Sequence, residues 1–128
     1  MDIHKVIATD ATVALIGQLE RKHGPVIFHQ SGGCCDGSSP MCFSQSEFKP
    51  GKHDYYLGDL GHAPFYISKD QYDYWKHTQL IIDVVKGRGG MFSLENPTGR
   101  RFLVRSRVFT NEERQALKLK VTLFEPFC

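Results

Sequence analysis

The sequence predicts an α+β fold: a mostly antiparallel β-sheet with an N-terminal helix and two short helices. Three observations carry this. Ser68-Lys69-Asp70-Gln71 and Thr110-Asn111-Glu112-Glu113 have the form of capping boxes, each opening a short helix. Arg101 to Phe109 alternates, with Phe102, Val104 and Ser106 on one face and Arg101, Leu103, Arg105 and Arg107 on the other. Gly- and Pro-containing turns separate the remaining apolar runs into strand-length pieces.

In chain order, Thr9 or Asp10 caps a helix through Ala11–Leu19, whose apolar stripe is Leu15, Ile16 and Leu19; Gly24-Pro25 ends it. Pro25–His29 reads as a buried strand and leads into a loop from Gln30 to Cys42. Three glycines around two thiols there require tight turns or close approach. After Lys49-Pro50-Gly51 come strands at Asp54–Gly58 and Ala63–Ile67, then the first capping box and a helix carrying Tyr72, Tyr74 and Trp75. Leu80–Val85 is apolar at nearly every position, as in a strand covered on both faces, with Asp83 the exception. Turns at Arg88-Gly89-Gly90 and Asn96-Pro97-Thr98-Gly99 flank Met91–Leu94. The second capping box opens a helix to about Leu119, and Val121–Phe124 reads as an edge strand.

Composition bounds the function. The 128 residues suit one domain, 1–128, and 41% apolar with 23% charged residues is ordinary globular usage. Lys plus Arg number 16 against 14 for Asp plus Glu, with no basic stripe, which argues against a nucleic-acid partner. The run Leu80-Ile81-Ile82 is far too short to span a membrane, and Met1–Lys5 lacks the pattern of an export signal. A cytoplasmic protein is expected.

The chemistry concentrates in one stretch. In a reducing compartment, grouped thiols point to metal or redox chemistry before structural disulfides. Cys34 and Cys35 are adjacent, with Cα atoms about 3.8 Å apart, below the usual disulfide range. Cys34, Cys35 and Cys42 offer soft ligands for iron, zinc or copper, or for an iron–sulfur cluster. Asp36 lies beside them, His29 ends the incoming strand, and His62 is expected to reach the site from a neighbouring hairpin. Successive side chains of extended backbone point oppositely, so one of Cys34 and Cys35 is expected at the site and the other in the core. Two other readings stand beside this one: thiol redox or thiol catalysis, which needs a lowered pKa that no nearby cation supplies, and three buried thiols serving as small hydrophobes. Gly32-Gly33 and Gly37-Ser38-Ser39 lack the lysine and spacing of a phosphate loop. His53, His62 and His77 read first as surface or packing residues, and Asp83 and Glu95 form a carboxylate pair only if the fold joins them.

The stretches His23–Cys42, Tyr74–Val85 and Gly87–Glu95, above all Ser31-Gly32-Gly33-Cys34-Cys35-Asp36-Gly37-Ser38, resemble a family of small bacterial proteins of unknown function. Members of that family are often encoded beside aldehyde dehydrogenases. The resemblance implies service to, or partnership with, an aldehyde dehydrogenase in aldehyde or alcohol oxidation. The element order also resembles the HesB-like A-type iron–sulfur carriers, with Cys34 or Cys35 matching the first cluster ligand and Phe92–Pro97 a later phrase. Those carriers end in a Cys-Gly-Cys pair; here the stretch reads Thr98-Gly99-Arg100-Arg101. That likeness implies a homodimer. The expected function is a metal- or iron–sulfur-binding accessory protein, the alternatives being a small metal- or thiol-dependent enzyme acting on an aldehyde, or a non-catalytic partner of the dehydrogenase.

Overall fold

A computed structural model describes residues 4–30, 38–75, 77–89 and 92–124, with the side chains of 74, 75 and 118–124 outside that description. The elements are β1 (Val6–Ala8), α1 (Asp10–His23), β2 (Val26–Gln30), β3 (Met41–Ser44), β4 (Asp54–Leu60), β5 (Ala63–Ser68), α2 (Lys69–Trp75), β6 (Thr78–Lys86), β7 (Arg100–Val108) and α3 (Asn111–Phe124). A 3-10 turn at Asn96–Thr98 precedes β7.

The α+β class stands, but the strands form two mixed sheets. One has the order β1-β6-β7, with β1 parallel to β6 and β6 antiparallel to β7. The other has the order β3-β2-β5-β4, in which β2 and β5 run parallel and the outer pairs run antiparallel. Both sheets bury one face in a common core. Phe28 of β2 meets Phe102 of β7 edge-on at 4.9 Å between ring centres and stacks against Phe65 of β5 at 6.1 Å. Leu15, Ile16 and Leu19 of α1 join the same core.

Local chemistry explains the helix starts. Thr9 accepts from the Thr12 amide at 3.3 Å and caps α1, while its own amide and the Thr12 hydroxyl both donate to the Ile82 carbonyl, tying the helix to β6. The Thr110–Glu113 capping box closes in both directions, at 3.2 and 2.9 Å. Ser68 accepts from the Gln71 amide at the start of α2.

Three expectations are corrected. Val121–Phe124 is the last turn of α3 and not an edge strand: once the capping box nucleates the helix, each added residue gains a hydrogen bond. Met41–Ser44 is a strand, and its apolar residues were hidden behind the Gly- and Ser-rich stretch before it. Leu80 and Ile82 of β6 face the core, but its other face is only half-covered, and Asp83 there pairs with Arg105 at 3.0 Å. Among the described residues, no helix is long and apolar enough to cross a membrane.

Candidate functional site

The chain leaves β2 at Gln30 and rejoins described structure at Ser38, so both ends of the cysteine loop are fixed. Gln30 is buried at the end of β2. At the far end, the Val104 amide donates to the Ser38 carbonyl at 2.8 Å and Arg101 Nη1 donates to Ser39 Oγ at 2.6 Å, clamping the returning chain to β7. Cys34, Cys35 and Asp36 lie outside the described residues.

His29 is placed as a loaded residue, not as filler. Its Nε2 donates to Asp54 Oδ1 at 2.7 Å, and both side chains are nearly buried. The two residues belong to β2 and β4, separated by β5, so the bond reaches across two strand spacings, about 9.5 Å. Asp54 is itself pinned, because Oδ2 accepts from the Gly51 amide at 2.7 Å. Phe48 packs against the imidazole at 5.2 Å and stacks on Phe43 at 4.7 Å. Partial burial alone would raise the Asp54 carboxyl, but the bonds from His29 and Gly51 outweigh it and hold the group below the usual carboxylate range. In the neutral form of the ring, an ionised Asp54 favours the tautomer with the proton on Nε2 and the lone pair on Nδ1. An imidazole so arranged serves as a metal ligand or a general base.

Cys42 occupies a different place. In the ladder it pairs with Phe28, while His29 pairs with Met41. Alternation therefore turns the Cys42 thiol into the core and the His29 ring to the opposite face of the sheet. Cys42 is fully buried, and burial, followed by the Glu95 and Glu20 carboxylates, pushes its thiol far above the ordinary range. It is a thiol, not a thiolate, across physiological pH.

Behind Cys42 sits a polar cluster that the sequence did not disclose. The Cys42 amide donates to Ser93 Oγ at 2.8 Å, the Leu94 amide donates to the Cys42 carbonyl at 2.9 Å, and the Ser93 hydroxyl donates to Glu95 Oε1. The Ser93–Glu95 segment thus covers the free edge of β3. Glu95 is completely buried, and its Oε2 has no hydrogen-bond partner among the described residues. Gly89 is small because a Cβ there would stand 2.5 Å from that oxygen.

Burial pushes the Glu95 carboxyl upward, against the Ser93 hydroxyl and the Phe102 amide, which favour the ionised form. An acid raised in the folded state lends its full stability below the ordinary Glu value and loses it as pH climbs. Glu95→Gln should therefore gain on the wild type by about 1–3 kcal/mol between mildly acidic and mildly alkaline buffer, read from urea unfolding. A difference that stays constant with pH would contradict this.

His62 does not join His29. It lies in the β4–β5 turn before β5, whereas His29 pairs with Tyr66, about 13 Å further along that strand. Asp83 and Glu95 do not pair either, since Asp83 is bound to Arg105 and Thr9. Among the described residues no group of three or more His, Cys, Asp and Glu is placed to hold a metal. Any larger ligand set would draw on donors outside the described residues, where Cys34, Cys35 and Asp36 lie. The sequence reading missed Asp54, for it opens a strand 25 positions from His29 and nothing local announces the contact.

With this geometry in view, residues 15–108 match a family model described as Domain of unknown function (DUF779). The chain belongs to that family. The family's span holds the His29–Asp54 pair, the cysteine loop and the Cys42–Ser93–Glu95 cluster, and omits β1 and α3. No curated protein and no solved structure matches the chain.

Proposed function

We propose that this chain is a metal-binding accessory protein whose ligands are a thiolate from Cys34 or Cys35 and the His29 imidazole, with Asp36 a further donor. The observation that carries the reading is the 2.7 Å bond from His29 to a doubly anchored Asp54, immediately before the cysteine loop. Metal-bound imidazoles typically donate their other nitrogen to a carboxylate, which fixes the tautomer and raises ligand basicity. A thiolate and an imidazole suit iron, zinc or copper, and the resemblance to the A-type carriers extends the reading to an iron–sulfur cluster. Cys42 contributes to the core and to the seating of the Ser93–Glu95 segment. The resemblance to proteins encoded beside aldehyde dehydrogenases makes such an enzyme, in the cytoplasm, the proposed beneficiary.

Asp54→Asn tests the reading at its carrying contact. The variant side chain retains the shape but not the charge, and its amide can turn the ring to the tautomer that protonates Nδ1. Metal affinity, measured by competition with a chelator, should fall about 10–100-fold while the fold persists. Unchanged affinity would remove His29 from the site.

A second reading, a thiol enzyme, finds no support at Cys42, which is buried and protonated. It would have to rest on Cys34 or Cys35, and selective alkylation of one of them at neutral pH would favour it.

A further inference from the structure

Ser93 and Leu94 also border a cleft. The turn after β6, carrying Arg88, and the segment from Phe92 to Gly99 form its walls, which enclose about 630 Å³, with His23 at the end of α1 on its rim. That volume falls within the range of small-molecule sites. The walls are tied together before any ligand arrives. Gly87 donates to the Gly99 carbonyl at 3.0 Å, Gly89 donates to Asn96 Oδ1 at 2.8 Å, and the 3-10 turn closes through Gly99 onto Asn96.

The lining has two chemistries. Phe92 is 77% exposed, and with Leu94 and Pro97 it gives the cleft an apolar side. Arg88 brings a permanent positive charge and makes no ion pair with the described residues, in contrast to Arg105 and Arg107, which are held by Asp83 and Glu113. A guanidinium beside an exposed ring, with an imidazole near by, matches a planar anion joined to a short apolar body.

We propose that this cleft binds a small organic carboxylate with an aromatic or aliphatic tail, its carboxylate on Arg88 and His23 and its tail against Phe92 and Pro97. The site is separate from the metal reading and requires none of the cysteines. Titration of the full-length protein with benzoate or hexanoate, followed by amide chemical shifts, tests it. Saturable shifts at Gly87, Gly89 and Gly99 are expected, with a Kd at or below about 1 mM. Benzamide, which lacks the charge, and acetate, which lacks the tail, should each bind about tenfold or more weakly, as should benzoate to Arg88→Gln. Arg88 is exposed in a turn, and the comparison of benzoate with benzamide on the wild-type protein is independent of how any variant folds. Absence of saturable shifts, benzamide binding as well as benzoate, or Arg88→Gln binding benzoate like the wild type would each overturn the proposal. Inorganic phosphate binding more tightly than benzoate would overturn the assignment of a tailed carboxylate.

Discussion

The double variant Cys34→Ser/Cys35→Ser should purify folded and without metal. Whichever of the two thiols is the proposed ligand, both are gone, and the remaining donors are an imidazole, carboxylates and hydroxyls. Such a set loses the soft sulfur that selects zinc, copper(I) or an iron–sulfur centre. The fold should tolerate the change, because the anchors of the loop are not cysteines. Gln30 is buried at one end, and Ser38 and Ser39 are bonded to β7 at the other. Far-ultraviolet circular dichroism should match the wild type while elemental analysis drops to background. Cys42→Ser makes the opposite comparison: it places a hydroxyl in the core, lowers stability, and leaves metal bound. Metal retained in the double variant, or lost with Cys42 alone in a protein that still folds, would contradict the assignment of ligands.

The second large effect concerns the core. Phe28→Ala should lower stability by about 3–5 kcal/mol. The ring is fully buried where the two sheets meet, edge-on to Phe102 and stacked with Phe65. Its loss opens a cavity and removes the main aromatic contact between the sheets, in a domain whose whole stability is of order 5–15 kcal/mol. Phe28 also pairs with Cys42 and precedes His29, so the same variant should loosen the strand that presents the imidazole. A loss of unfolding free energy in urea of less than about 1 kcal/mol would mean that the sheets are joined by contacts other than these rings.

The parts of the fold legible in the sequence were those with local causes. Thr9, Ser68 and Thr110 each start a helix at the residue where their side chains meet a free amide. The alternation of Phe102 and Val104 also placed β7 correctly, with both residues in the core. What was missed has non-local causes. β1 is three residues long and is defined by pairing with β6, more than seventy positions away, so no periodicity reveals it. The parallel pairing of β2 with β5 likewise follows from how α1 and the intervening strands pack, not from either strand's own pattern.

The candidate site divides in the same way. Cys42 and His29 belong to one stretch of sequence, and proximity along the chain suggested one site. The register of β2 and β3 sends them to opposite faces, a consequence of the two-residue period of a strand. Asp54 became visible only once β4 was placed two strands from β2. In the sequence Glu95 figures only as half of a carboxylate pair with Asp83 conditional on the fold, yet its environment is set by Ser93, Gly89 and the edge of β3. A buried acid of this kind is recognised by what surrounds it, and the sequence shows only that an acid is there.

The claim that residues 29–36 hold a metal is tested most directly on the unmodified protein. It should be purified without oxygen or chelators and measured by elemental analysis together with its absorption spectrum. Near-stoichiometric iron, zinc or copper is expected, with the spectrum distinguishing a cluster from a single ion. A colourless protein that is metal-free as isolated and stays so after reconstitution with each metal would contradict it.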